Sequence, residues 1–356
     1  MANLFDSIHL GELQLTNRIV MSPLTRCRAS EGRVPNPLMA EYYRQRASAG
    51  LIISEATAVD PMGVGYPDTP GIWSDEQVEG WKKITRAVHQ AGGKMLLQLW
   101  HVGRISDPLY LNGELPVAPS AIQPKGHVSL IRPHKDYVQP RALVLEEIPK
   151  IIDAFRKGAE NAKKAGFDGV EIHGANGYLL DQFLQSKTNQ RDDRYGGTLE
   201  NRARLMLDVT DAVMSVWGAG RVGMHLAPRC DSHDMGDDNP LETFTYLATE
   251  LGKRKIAFIC TRESIADNSL TPAIRKAFAG PVIANEKLDF YSAQKLIEDG
   301  AADAVAFGKL FIANPDLVVR FKQLFYKKSP PLNEWDATTF YGSGEKGYTD
   351  YPSLME

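Results

Sequence analysis

Short apolar runs rich in β-branched residues alternate with longer stretches of helical period along almost the whole chain. Apolar residues recurring about every three to four positions mark helices, and unbroken apolar runs of roughly four to eight mark strands buried on both faces. On this pattern strands are expected over residues 18–25, 51–57, 94–101, 169–175, 222–228, 256–263, 281–286 and 304–308. Helices are expected over 37–49, 75–90, 145–165, 199–217, 241–253, 272–278, 290–299 and 315–325. Ser74 and Thr198 suit helix N-caps, while Gly92, Gly166, Gly218 and Gly300 suit the turns that end helices. Eight alternating strand and helix units predict an α/β fold, a closed parallel (β/α)8 TIM barrel. A doubly wound open sheet is the rival architecture and ordinarily needs fewer units. Residues 1–356 read as a single domain.

One connection is out of scale. Residues 103–142, between the third strand and the third helix, hold prolines, glycines and scattered aromatics, where an ordinary connection takes roughly 2–6 residues. Loops that follow barrel strands lie over the C-terminal face, so this excursion is expected to form a lid or pocket wall. A tolerated surface insertion is the plainer alternative.

Composition narrows the class. Hydrophobic residues make up 43% of the 356 positions, enough for a large core, and 41 basic against 44 acidic residues leave a formal charge of −3. No broad basic surface calls for nucleic acid or anionic lipid. The start of the chain lacks the basic and apolar regions of a signal peptide, and no apolar run is long enough to span a bilayer, so a cytoplasmic protein is expected. A monomer or weak homo-oligomer is the expected assembly. Cys27, Cys230 and Cys260 are few and widely spaced, which fits reduced thiols that pack.

Candidate chemistry concentrates where the fourth strand ends. The run from Gly169 to Tyr178 carries His173, Asn176 and Tyr178 beside Gly174 and Gly177. If this turn begins a helix, His173 and Asn176 share a face and aim two donors at one substrate oxygen. Tyr178 falls on a different azimuth and holds a proton for another atom of the same ligand. The bland alternative, a satisfied core histidine and a packed tyrosine, explains each residue alone but not three polar groups converging at one strand end.

Other expected strand ends carry Thr25, Gln98, Trp100, His101, His225 and Asn285, with Lys309 just after the eighth. In a barrel these residues ring one pocket. Gly308 and Lys309, with Ala284 and Asn285, offer backbone N–H groups and a cation in the loops where barrels often hold phosphate. Residues 342–347 match the dinucleotide fingerprint letter for letter but lie outside any strand–helix–strand unit, which discounts them. Asp231, Ser232, His233, Asp234, Asp237 and Asp238 read as a solvated acidic loop, and no metal site is expected. Metal-assisted hydrolysis by His101 and His173 lacks a carboxylate at ligand spacing.

At these residues the chain resembles the old yellow enzyme family of flavin-dependent ene-reductases over nearly its whole length. The resemblance rests on residues 17–25 (Asn-Arg-Ile-Val-Met-Ser-Pro-Leu-Thr), 40–47, 54–57, 98–101 and 192–201. Phe307-Gly308, the run Asn314 to Leu317 and the tail 347–352 complete it, with closest similarity to the bacterial branch reducing enones and nitrate esters. It implies an enzyme holding noncovalent FMN, reduced by NADPH or NADH and reoxidised by activated alkenes such as enones, enals, nitroalkenes and maleimides, with nitrate esters or quinones as further acceptors. His173 and Asn176 would bind the substrate oxygen while Tyr178 protonates the α carbon. Pro23, Thr25, Ala56, Gln98, His225, Asn285, Gly308 and Lys309 would hold the cofactor. Tyr66, Trp100 and Tyr341 would line the substrate cavity.

Three positions depart from the family pattern. His225 stands where an arginine is usual beside the flavin, Lys309 replaces a phosphate-binding arginine, and Ala284 replaces a common glycine. His225 must carry a proton to balance an anionic reduced flavin, so reduction is expected to take up a proton near neutral pH. Arg229 or Arg262 is the alternative charge source. A flavin-free barrel that binds ligands without chemistry is the alternative function.

Overall fold

The computed structural model describes residues 2–230 and 232–354. Eight strands form its centre: Ile19–Met21, Leu51–Ile53, Met95–Trp100, Gly169–His173, Val222–Leu226, Phe258–Arg262, Val282–Asn285 and Ala304–Phe307. Each pairs in parallel with the next, and the eighth pairs with the first, so the sheet closes on itself as a TIM barrel. Ring closure excludes the open sheet.

Period-two alternation sorts the side chains of each strand. Val20, Leu51, Ile53, Leu96, Phe258, Cys260, Ile283, Ala304 and Ala306 form one apolar cluster, while Ile19, Ile52, Leu97, Val170, Met224 and Ile259 belong to the layer packed against helices. A hairpin, Ile8–Leu10 against Leu13–Leu15, sends Leu10, Leu13 and Leu15 into the first cluster and closes that end of the barrel. Burying each such leucine contributes about 1.5–3 kcal/mol. With that end plugged, the strands' C-terminal ends are left for function.

Most expected helices appear with small boundary shifts. The first shortens to Pro37–Gln45, because the chain turns at Arg46, whose buried guanidinium binds the carbonyls of Phe311 and Ile312 at 2.7 Å each. The third splits into a tight turn at Leu145–Glu147 and a helix Ile148–Lys164, with Pro149 suited to its first turn. Two short helices, Leu179–Leu184 and Lys309–Ala313, were not anticipated. The excursion 103–142 is tied at its base by parallel strands Val117–Ala118 and Arg141–Ala142. Among the described residues it contributes nothing to the lining of the main cavity; Val128 and Tyr137 instead pack behind Trp100 and Tyr178.

The end of the chain returns to its start. Arg26 donates to the carbonyls of Phe340 (3.0 Å) and Gly347 (2.7 Å), and Arg28 to those of Thr339 (3.0 Å) and Gly344 (3.1 Å). The Tyr42 and Tyr348 rings stack 4.0 Å apart. Gly347 has φ 64°, and a Cβ there would meet Thr339 Oγ1 at 1.9 Å, so the glycine-rich run 342–347 serves this packing and lies in no strand–helix–strand unit. No helix among the described residues is long and apolar enough to cross a membrane.

Candidate active site

The C-terminal ends of the strands surround a cavity of about 620 Å³, within the range of roughly 300–1,000 Å³ usual for small-molecule sites. Pro23, Thr25, Ala56, Gln98, Trp100, His173, Asn176, Tyr178, His225, Asn285, Gly308 and Lys309 all line it, joined by Tyr66 from the second loop and Tyr341 from the tail. His101 does not. It is buried elsewhere, its Nδ1 accepts the Gly103 N–H at 3.1 Å, and burial pushes its pKa down to about 4. That removes the pairing of His101 with His173.

The turn after the fourth strand is built differently from expectation. Asn176 and Gly177 have φ of 59° and 78°, and the helix Leu179–Leu184 begins only after Tyr178. His173 and Asn176 therefore share no helical face. A left-handed turn brings both into the cavity, and asparagine tolerates that backbone better than most residues. Asp181 accepts the Gly177 N–H at 2.9 Å, and Gln182 donates to the carbonyls of Gly177 and Val102 at 2.8 and 3.0 Å, which locks the turn.

Each polar group on this wall has a defined state. Burial, reinforced by His225, holds His173 well below the ordinary histidine pKa, so its ring is neutral. Its Nδ1 accepts the Ala175 N–H at 3.3 Å, which leaves the ring hydrogen on Nε2. Asn176 Oδ1 accepts from Arg262 Nη1 at 2.9 Å, and Arg262 Nε is held by Glu286 at 2.7 Å. Arginine only donates, so the amide oxygen is fixed and the Asn176 NH2 remains available as a donor. Burial raises Tyr178 well above an ordinary phenol, and its hydroxyl lies 2.8 Å from that of Tyr66. Trp100 and His173 each meet the Tyr178 ring edge to face at 5.0 Å.

On the neighbouring fifth strand, in register with His173, His225 is buried, with Nδ1 3.4 Å from Glu171 Oε2. Burial alone would lower its pKa, but Cys260 and Glu171 outweigh it and push the imidazole up to about 10. That direction runs against the expectation that His225 gains its proton only with a reduced flavin. Arg229 lies outside the cavity lining, paired with Glu263 at 2.5 Å, and Arg262 is committed to Asn176 and Glu286.

At the far end Lys309 Nζ sits 5.6 Å from the Trp335 ring centroid and pairs with no carboxylate among the described residues. Asn285 spends both amide hydrogens on Ser22 Oγ and the Ala306 carbonyl, each at 2.8 Å, so its side chain braces three strands and offers a phosphate no donor. Gln98 Nε2 donates to Glu171 at 2.7 Å, leaving its amide oxygen free for a ligand N–H. Lys309 beside Gly308, the Thr25 hydroxyl, this acceptor oxygen and the His225 imidazole form a polar set that fits FMN.

Some lining residues escaped sequence reasoning. Arg262 appeared only as a charge source, and Glu286, Lys287, Trp335 and Phe340 not at all. Glu286 and Lys287 have φ of 108° and 54°, a backbone that usually signals glycine, so nothing in their identity marked the loop. The acidic-loop reading also needs correction: the carboxylate of Asp237, a half-buried residue, is shielded from solvent and accepts from Ser186 N–H and Thr243 Oγ1 at 2.9 Å each. Asp231 lies outside the described residues.

Residues 3–328 match the NADH:flavin oxidoreductase / NADH oxidase family. The chain belongs to this FMN-dependent family, that of old yellow enzyme. It is 47% identical over 361 residues to putative 12-oxophytodienoate reductase 5 of Oryza sativa subsp. japonica, covering 97% of this chain and 93% of that protein. The old yellow enzyme homologue of Zymomonas mobilis superimposes with a TM-score of 0.95 at 47% identity, covering 99% and 100% of the two chains. Morphinone reductase in complex with tetrahydroNAD superimposes at 0.94 with 46% identity, covering 99% and 98%. The chain is thus an old yellow enzyme of the flavin ene-reductase type, an oxidoreductase using a nicotinamide.

Proposed function

We propose that this enzyme reduces electron-poor alkenes, among them enones, enals, nitroalkenes and maleimides, using NADPH or NADH through bound FMN. Quinones and nitrate esters are further acceptors. The observation that carries the reading is one cavity that presents two neutral donors and a protonated phenol together with a set of polar groups that suits a flavin. Thr25, Gln98, His225, Gly308 and Lys309 would hold FMN, with Pro23 and the Ala56 backbone against it. Bound there, FMN would supply two-electron, hydride-transfer chemistry.

The protein's own residues do the rest. His173 Nε2–H and the Asn176 NH2 donate to the carbonyl or nitro oxygen and draw charge onto it, which makes the β carbon electrophilic. Neutral histidine serves here as a donor rather than an acid. Tyr178 delivers its proton to the α carbon, and Tyr66 then donates to the phenolate oxygen that remains. Trp100 and Tyr341 shape the space around the alkene.

The test is direct. Purified protein should be yellow, release FMN on denaturation, and oxidise NADPH or NADH anaerobically beyond one equivalent per flavin only when an enone such as 2-cyclohexenone is present. A colourless protein that also fails to bind added FMN would overturn the reading in favour of a flavin-free ligand-binding barrel.

A further inference from the structure

Beneath the cavity Glu171 points into the barrel from the middle of the fourth strand and is fully buried. Gln98 donates to its Oε2, His225 Nδ1 approaches the same oxygen, and Oε1 has no partner among the described residues. Cys260, beside His225 in register on the sixth strand, completes a cluster with one heteroatom from each residue within 4.8 Å of the others. A carboxylate taken this far from water costs several kcal/mol unless a cation faces it. His225 is the cation within reach.

We infer that Glu171 is a positioning residue that keeps His225 permanently protonated, so that the charge an arginine would carry stands ready for FMN at any physiological pH. The inference rests on the flavin reading of His225. With Nδ1–H turned to Glu171, the imidazolium keeps a second hydrogen, on Nε2, and His225 lines the cavity. The other groups facing His225 do not supply this charge. His173, its ring 5.9 Å away on the fourth strand, is held neutral by burial. Burial likewise raises Cys260, so its sulfur is a thiol near neutrality, and Arg262, two residues further along the sixth strand, is already paired with Glu286. Gln98 is uncharged. Cys260 and Glu171 both raise the His225 pKa, and with Cys260 held as a thiol Glu171 is the lasting anion of the two.

Two measurements test it. In histidine-labelled full-length protein, with the His225 signal assigned by its loss in His225→Arg, the ring should stay charged to above pH 8. In Glu171→Gln it should titrate at or below the ordinary value of about 6.5. Potentiometry of the FMN-loaded proteins supplies the second readout. The parent should show no extra proton uptake on reduction between pH 6 and 8, Glu171→Gln should gain one, and the double variant Glu171→Gln/His225→Arg should lose it again. A merely structural role for Glu171 would shift all pH values alike and would not be rescued. A parent His225 that titrates near 6.5 overturns the inference without any variant, as does a Glu171→Gln protein with unchanged slope. Failure to bind FMN would defeat the functional reading instead, and the histidine titration would still decide this one.

Discussion

The hydroxyls of Tyr66 and Tyr178 lie 2.8 Å apart although 112 positions separate them in sequence. If Tyr178 gives its own hydrogen to substrate, Tyr66 must be the donor between them. Tyr178→Phe should then slow flavin oxidation by 2-cyclohexenone on the order of 10² to 10⁴-fold. Reduction by the nicotinamide should stay within a fewfold of the parent. Tyr66→Phe removes one hydrogen bond to a developing charge, worth about 1.5–3 kcal/mol, so the same step should slow roughly 10- to 100-fold. Stopped-flow measurement of both half-reactions checks this, and an enone rate within a fewfold of the parent in Tyr178→Phe excludes it as the acid.

Changing both His173 and Asn176 to alanine should weaken phenols and enones while FMN content stays at parental level, because the cofactor donors come from other strand ends. Two lost hydrogen bonds to a charged oxygen predict at least a tenfold rise in Kd. Titration of the long-wavelength band that phenolates give over flavin reads it. Unchanged affinity would assign the pair another task.

Lys309 meets a phosphate as a point charge on a flexible stem. Lys309→Ala should raise the FMN dissociation constant by roughly tenfold or more, and Lys309→Arg, with its bidentate fork, should hold FMN at least as tightly as the parent. Fluorescence titration of FMN into stripped protein measures both. Equal affinity in all three proteins would place the phosphate elsewhere.

Asp181, which anchors the turn through Gly177, is buried, and desolvation pushes its pKa up to about 7. Its unfolded value is about 3.9. Between these values the folded state binds a proton that the unfolded chain does not, so this group's contribution is complete below the unfolded value and is lost as pH rises through about 7. Urea unfolding should show stability falling by roughly 2–3 kcal/mol from pH 5 to 8 on this account, and Asp181→Asn should flatten that slope. A slope unchanged in the variant rules Asp181 out as its source.

The barrel was legible because parallel strands covered on both faces carry unbroken apolar runs, and the helices between them hold a clear period. Leu179–Leu184 and Lys309–Ala313 were not, since two turns or fewer of apolar residues show no period to read. Every cavity residue named from the strand ends except His101 lies in the cavity, because a barrel aims alternate strand-end positions at one point. The states of those residues stayed hidden. Glu171 reads in sequence as one polar letter inside a strand, and only closure of the ring brings it to His225, 54 positions away. Arg262 orients Asn176 across 86 positions, a separation that no local pattern records.

The grip of Arg26 and Arg28 on carbonyls more than 310 positions later also sets an order of events during synthesis. Until residues 339–347 leave the ribosome, two buried guanidinium groups lack their acceptors, and Trp335, Phe340 and Tyr341 are missing from the mouth. The mouth of the cavity is therefore completed late in the life of the chain. A ribosome stalled before that point should carry a nascent barrel whose first loop, Arg26 and Arg28 included, is open to protease, whereas one stalled far enough beyond it to free those residues from the exit tunnel should carry that loop protected.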